Sequence, residues 1–213
     1  MMRLFHAWGS CSLASYLALE EAGADYEVAV MSTKAGDQRR PDYLAVNPKG
    51  RVPALVTDQG ILTENPAILA WIAQTYPAVQ LAPTDPWGFA QAQAFNSYMC
   101  ATVHVAHAHK HRGYRWADTQ AAFDDMTRKV PETMAACFQL IEDEMLRGPY
   151  VLGEAFSICD AYLFTLADWL EGDGLEPRRF AKVYDHRERV RARPAVARVL
   201  ANAPEVIQSS PAI

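Results

Sequence analysis

The residues that decide the fold run Val52-Pro53-Ala54-Leu55-Val56-Thr57-Asp58-Gln59-Gly60-Ile61-Leu62-Thr63-Glu64-Asn65-Pro66. Residues 52–57 and 61–63 are apolar and β-branched, and Asp58-Gln59-Gly60 between them is a hairpin signal. A proline cannot donate to a ladder, so Pro53 belongs at a strand start or on an edge. Asn65 is a strong N-cap type and Pro66 suits the first helical position, which predicts a helix over 66–76. The stretch reads as an antiparallel hairpin that runs straight into a helix.

Upstream, residues 3–6 read as a short strand. Residues 12–22 read as a helix with Leu13, Leu17 and Ala18 apolar and Gly23 as its terminator. A second strand is predicted over 26–30, and a polar loop, 31–38, leads to a helical turn near 42–46. The order is βαβ, then α, then ββα. The first part implies parallel strands joined by a right-handed crossover, and the hairpin adds an antiparallel edge. This is the order of a thioredoxin-like α/β domain, placed at residues 1–80.

Downstream the text becomes helical. The changeover, Tyr76 to Pro86, contains Pro77, Pro83 and Pro86 and cannot continue a helix. Residues 81–86 are therefore read as a linker and 87–213 as an all-α domain. Helices are predicted over 87–112, from near 118, and over 157–171, 177–190 and 194–202. The second of these carries Met126, Val130, Met134, Phe138, Ile141 and Met145 at spacings of four and three. Pro131 inside it should kink or split it.

With 213 residues, half of them hydrophobic, the chain can bury the core of two small domains. Acidic residues outnumber basic ones 25 to 20, a balance that repels phosphate backbones and argues against a nucleic-acid partner. The arginine-rich run Arg187–Arg193 is diluted by Asp185 and Glu188 and reads as a solvated helix face. No stretch is long and apolar enough to span a membrane, and the N-terminus lacks the pattern of a signal peptide, so a cytoplasmic location is expected. Cys11, Cys100, Cys137 and Cys159 form no C-x-x-C pair and are read as free thiols. The last three sit in apolar helical text and read as core residues.

Cys11 differs. It follows a strand and a loop containing Gly9, and directly precedes the first helix. There the helix dipole and free N–H groups favour thiolate, so a lowered pKa is expected. The plainer alternative is an inert loop residue at a cap. Ala14 stands where a dithiol motif would carry its second cysteine, so a monothiol chemistry would need an external thiol, and glutathione is the obvious cytosolic one. In Asn47-Pro-Lys-Gly-Arg-Val-Pro53, a cis Val52–Pro53 bond would free the Val52 backbone to pair with an extended peptide. In Thr63-Glu64-Asn65-Pro66, a helix N-terminus that can take a carboxylate stands beside Glu64, which can take an ammonium. Together they suit an α-amino-acid zwitterion such as the γ-glutamyl end of glutathione. Ordinary capping with an exposed Glu is the competing account.

Cys11-Ser-Leu-Ala, Asn47-Pro-Lys-Gly-Arg-Val-Pro53 and Thr63-Glu-Asn65-Pro-Ala-Ile, in this order and spacing, resemble bacterial glutathione transferases. The similarity is greatest to the beta class, which carries a cysteine in the first loop. The resemblance covers nearly the whole chain. It implies a thioredoxin-like domain plus a helical domain, glutathione as co-substrate, and a symmetric homodimer. It also implies a cis Val52–Pro53 bond pairing with the cysteinyl unit, and γ-glutamyl binding by Glu64 and Asn65. Members usually have Ser where Asn65 stands. The glycyl carboxylate would meet Lys34, with Arg39 and Arg51 as alternatives. Ser157-Ile-Cys-Asp160 looks like the folding motif of transferase helical domains, a capping box worth on the order of 1 kcal/mol or more.

His104, His107 and His111 share a helix face, and imidazoles so spaced can bind zinc. No carboxylate is interleaved, so no metal is assigned. Through the resemblance, His104 would instead point at the glutathione sulfur. Trp8, Tyr98, Tyr114 and Trp116 could wall a pocket for an apolar electrophile, the alternative for Trp8 and Tyr98 being core packing. The function read from all this is conjugation of the glutathione thiolate to apolar electrophiles, as in detoxification. The alternatives are thiol–disulfide exchange through Cys11 and a non-catalytic glutathione-dependent binding module. Ser10 and Ser12 flank Cys11, and either hydroxyl could donate to the sulfur instead.

Overall fold

A computed structural model describes residues 1–204; the part of the predicted helical domain over 205–213 lies outside the described residues. The chain opens with β1 (Met2–His6), α1 (Ser12–Glu21) and β2 (Tyr26–Val30). A short 3₁₀ turn (Asp37–Arg39) and α2 (Pro41–Val46) follow, then β3 (Ala54–Thr57), β4 (Gly60–Thr63) and α3 (Asn65–Thr75). The strands form one mixed sheet in the order β2-β1-β3-β4. β1 runs parallel to β2, with Met2 opposite Tyr26 and His6 opposite Val30. It runs antiparallel to β3, which pairs with β4 across the hairpin. This is the thioredoxin-like arrangement read from the element order. The third strand starts two residues later than predicted, at Ala54, so Val52 and Pro53 lie outside the ladder.

The rest is helical. α4 (Pro86–Tyr98), a five-residue π-helical turn (Met99–Val103) and α5 (His104–Arg112) form one continuous helical run. α6 (Gln120–Leu140) ends in a second π-helical turn (Ile141–Met145), and α7 (Ile158–Ala167), α8 (Ala181–Arg191) and α9 (Pro194–Ala201) follow. Asp85 caps α4 by accepting from the Gly88 N–H at 2.8 Å, and Thr119 caps α6 by accepting from the Ala122 N–H at 3.3 Å. The expected splitting of the second long helix at Pro131 does not occur, since α6 runs through it. Val130, Met134 and Phe138 bury one face of α6 on both sides of the proline, and tertiary packing of such a face outweighs one missing intrahelical bond.

α1 is the centre of the core. Ser12 to Leu19 are all buried, because the helix packs on β1, α3, α7 and α9. Two ion pairs from α9 hold its far end: Arg193 grips Glu21 through two bonds of 2.6 and 2.8 Å, and Arg198 meets Glu20 at 2.8 Å. The thioredoxin-like domain and the helical domain thus share one core through this helix.

The capping box at α7 is present in full. Asp160 is fully buried. It accepts from the Ser157 N–H and Ser157 Oγ, each at 2.7 Å, and also from the Val151 N–H at 2.7 Å and His186 Nε2 at 2.8 Å. The sequence motif implied the bond from the Ser157 N–H and not the other three. Removing one acceptor that serves four buried donors strands all of them. Asp160→Ala should therefore cost about 3 kcal/mol or more and lower the thermal midpoint by roughly 6–12 °C. A scanning-calorimetry midpoint within a degree of wild type would contradict this account of the box.

Candidate active site at the N-terminus of the first helix

Cys11 is the N-cap residue of α1 and is almost wholly buried. Its Sγ lies 3.6 Å from the Val52 carbonyl, to which the thiol donates. The Val52–Pro53 bond is cis, as the resemblance implied. The segment before it is held from the backbone side, because the Arg51 carbonyl accepts from Tyr43 Oη at 2.5 Å and from Asn47 Nδ2 at 2.7 Å.

The expected lowering of the Cys11 pKa is overturned. Burial pushes the thiol up to about 12, and the opposing pull of the Arg112 charge only partly offsets it. The helix-dipole argument treats the residue as solvated, whereas the packed structure removes the water that a thiolate needs. Cys11 is therefore a neutral S–H donor.

The flanking hydroxyls point inward. Ser12 Oγ is fully buried and lies 2.8 Å from His6 Nδ1. It also accepts from the Ala7 N–H at 3.1 Å. Ser10 Oγ donates to the Ala7 carbonyl at 2.7 Å and sits 2.7 Å from Ser12 Oγ. His6 itself is enclosed by the edges of Trp8 and Tyr16, and its Nε2 has no hydrogen-bond partner. These two hydroxyls lock the loop, which leaves the Cys11 thiol against Val52.

The third segment is corrected in one respect. Glu64, not Asn65, is the N-cap residue of α3, and Asn65 is the first residue of the helix. Glu64 adopts φ 74°, a conformation costly for a non-glycine residue and concentrated at functional sites. Its carboxylate pairs with Lys49 Nζ at 2.5 Å, and that ammonium also donates to Thr63 Oγ1 at 2.7 Å. The side chain of Asn65 turns inward, where Nδ2 donates to the Cys11 carbonyl at 2.7 Å and Oδ1 accepts from Ser15 Oγ at 2.6 Å. This amide ties the first loop to the start of α3, leaving the α3 N-terminus to act through its backbone.

The helical domain supplies the opposite wall. His104 lies edge-on to Trp169, with Nε2 3.5 Å from an Arg112 guanidinium nitrogen. Burial, with Arg112 and His107 next, lowers its pKa to about 3, so it is a neutral imidazole. Cys100, in the first π-helical turn, is partly buried rather than a core residue, whereas Cys137 and Cys159 are buried. Tyr98 turns its hydroxyl toward the Cys137 carbonyl at 3.5 Å, the core-packing alternative. Tyr114 is half exposed and its hydroxyl accepts from Arg39 at 3.3 Å. Trp116 stacks on His109 at 4.2 Å. Trp8 and Lys34 come together on a surface depression of about 420 Å³ bordered by Met31 and Asp37. Cys11 does not line that depression.

The histidine face has partners that the sequence spacing did not reveal. His107 Nδ1 bonds the fully buried carboxylate of Asp173 at 2.7 and 3.0 Å. Lys110 approaches the same carboxylate at 3.7 Å. Among the described residues, no group of three His, Cys, Asp or Glu side chains is placed to hold a metal ion. Sequence reasoning missed Arg112, whose charge reaches Cys11 and His104. The basic text Lys110-His-Arg112-Gly-Tyr-Arg115 was the available signal.

A four-stranded thioredoxin-like sheet domain, with a cis-proline beside its first helix, joined to a helical domain defines a two-domain class of proteins. The comparisons with known proteins narrow the class. Residues 1–74 match the family model "Glutathione S-transferase, N-terminal domain" and residues 99–194 match "Glutathione S-transferase, C-terminal domain". Glutathione S-transferase GstA of Escherichia coli O157:H7 is 32% identical over 198 residues, covering 92% of this chain and 95% of that protein. A glutathione transferase homologue from Sulfitobacter, solved with bound glutathione, is 46% identical with a TM-score of 0.92, covering 94% and 97% of the two chains. The beta-class glutathione S-transferase of Sphingomonas chungbukensis is 29% identical with a TM-score of 0.81, covering 93% and 97%. The chain belongs to the glutathione S-transferase family.

His6 gives the site a pH signature. Burial lowers its pKa from 6.5 to about 4, with the Ser12 bond opposing. A depressed histidine contributes stability that is present above its unfolded pKa of about 6.5 and is lost as pH falls toward about 4. Between pH 7.5 and 4.5, His6→Gln should lose about 2–3 kcal/mol less folding free energy than wild type. Urea titrations at the two pH values check this; equal losses would remove His6 as the cause.

Proposed function

We propose that the chain is a transferase that conjugates the glutathione thiolate to electrophilic substrates, in the manner of the beta class. One observation carries the reading: three segments remote in sequence meet at one place. Cys11 Sγ is against the Val52 carbonyl, Asn65 is against the Cys11 carbonyl, and Glu64 stands at the start of α3 beside them. Glutathione fits this arrangement as an extended strand. Its cysteinyl unit pairs with the Val52 backbone, which lies outside the β3 ladder. Its γ-glutamyl carboxylate meets the backbone N–H groups at the α3 N-terminus beside Asn65, and its ammonium meets Glu64. Lys34 is the basic group for the glycyl carboxylate, with Arg39 and Arg51 the other candidates from the same domain.

The sulfur then lies beside Cys11. A neutral thiol donates a hydrogen bond to the glutathione thiolate, while Arg112 provides positive charge and the neutral His104 provides a ring nitrogen. Together they lower the glutathione pKa so that thiolate is present near neutral pH. The thiolate attacks the electrophilic carbon. The C–S bond forms, and the leaving group departs with the electron pair of the bond it breaks. Trp8, Tyr114 and Trp116 are the aromatic candidates for substrate contact.

The second reading, disulfide exchange with Cys11 as nucleophile, is disfavoured by its raised pKa, since the thiolate is the attacking form. A non-catalytic glutathione-binding module is the third. We further propose a cytoplasmic, symmetric homodimer that joins residues 1–80 to a helical substrate domain from residue 87. The four cysteines are free thiols, no described helix is long and apolar enough to cross a membrane, and Trp87 presents a large exposed apolar surface.

Replacing Cys11 separates these readings. With a chlorinated nitroaromatic, Cys11→Ala should keep conjugation but slow it by roughly fivefold, the effect of about 1 kcal/mol of hydrogen bonding. Exchange on a glutathione mixed disulfide should be slow in the wild type and absent in the variant. Fast wild-type exchange without conjugation would establish the second reading. Tight glutathione binding by calorimetry with no turnover of any electrophile would establish the third.

A further inference from the structure

The side of the cleft facing Cys11 is cationic. Arg112 closes α5, is half-buried, and extends its field to Cys11, His104 and Tyr114. Arg115, in the turn that follows, lies 6.0 Å from the centre of the Tyr114 ring. Arg39 reaches across from the thioredoxin-like domain to donate to the Tyr114 hydroxyl at 3.3 Å. Arg51, next to Val52, acts electrostatically on both His104 and Arg112. Three guanidinium groups from two separate segments therefore surround Tyr114 and His104, and Arg51 adds a fourth positive charge within electrostatic reach of His104.

Among the described residues, none of the four forms an ion pair with a carboxylate. By contrast Arg187, Arg191, Arg193 and Arg198 each do. The chain carries 25 acidic residues against 20 basic ones, so acidic partners are plentiful and are placed elsewhere. Assembling like charges without counter-charge is unfavourable, and burial plus the neighbouring Arg115 charge lowers the proton affinity of Arg112. Such a cluster is relieved by an anion from outside. In the transferase reading, the γ-glutamyl carboxylate goes to the α3 N-terminus and the glycyl carboxylate to Lys34. Arg112 then serves the thiolate with one side of its charge, and Arg115 has no partner assigned on glutathione, which leaves the cluster positive toward the second substrate.

We propose that Arg112, Arg115, Arg39 and Arg51, with the Tyr114 hydroxyl, form a subsite for an anionic group on the electrophile. The preferred substrates are then molecules that carry a carboxylate beside an electrophilic carbon, rather than purely apolar ones. This inference rests on the transferase reading. In the step itself the glutathione sulfur bonds to the electrophilic carbon and, for a chloro compound, chloride leaves with the bonding pair. The substrate carboxylate stays intact and orients the ring against the arginines.

The test uses the full chain and two matched ligands: the glutathione conjugates of 4-chloro-3-nitrobenzoate and 4-chloro-3-nitrobenzamide. Each is titrated by calorimetry at low salt, with glutathione alone as reference. The carboxylate conjugate should bind at least tenfold more tightly than the carboxamide, and added salt should erode the preference. Arg115 is exposed, so Arg115→Gln should fold normally, and it should cut the preference at least threefold while Arg115→Lys restores most of it. Equal affinities of the two conjugates, with glutathione itself binding, would overturn the anion subsite and leave the transferase reading standing. A preference untouched by Arg115→Gln would overturn the assignment to this cluster. Failure of glutathione itself to bind would overturn both.

Discussion

Helix α1 has no solvated face over Ser12–Leu19, and the geometry of the site follows from that. It is wedged against β1, α3, α7 and α9, so the loop that feeds it cannot move without disturbing both domains. The Asn65 amide adds a polar tether between the start of α3 and the Cys11 carbonyl. A buried amide with donor and acceptor both satisfied fixes direction as well as position. The thiol is consequently held against Val52 and shut away from water. Its protonation state is set by this enclosure more than by the helix dipole.

The same enclosure explains how the chemistry is divided among side chains. The hydroxyls of Ser10 and Ser12 serve the loop through Ala7 and His6. The acidic group at the edge of the site, Glu64, is matched by Lys49, so the thioredoxin-like domain brings little uncompensated negative charge to the cleft. The helical domain brings positive charge through Arg112 and Arg115. With Arg39 and Arg51 arriving from the other domain, the site is net positive, a layout that favours anionic reactants and a thiolate.

Much of this was legible in the sequence because its signals are local. The hairpin at Asp58-Gln59-Gly60 and the capping box at Ser157 each act over a few residues, and the structure has both, while Pro53 falls just before the strand it was read to open. What was not legible depends on tertiary contacts. The pKa of Cys11 has the opposite sign to the local expectation because burial is contributed by residues far along the chain. Asn65 could be read as a cap, but nothing in its neighbourhood says that its amide turns back toward residue 11. Pro131 breaks isolated helices and is tolerated here because α6 is packed on both sides of it. Arg112 and Arg115 sit in a basic run that carries no motif of its own, and only the return of Arg39 and Arg51 from the other domain makes them a cluster.

The π-helical turn at Met99–Val103 gives one helical run two angular phases. A wide turn takes up extra chain per revolution, so the residues beyond it are rotated relative to an uninterrupted α-helix. Tyr98, before the turn, reaches the Cys137 carbonyl of α6, whereas His104 and Arg112, after it, meet each other beside Trp169. The run therefore packs on α3 and α7 in its first half and on α6 in its second, with no loop between. One helix thus couples the packing of α6 to the charge that Arg112 brings beside Cys11, so a shift of either is felt by the other.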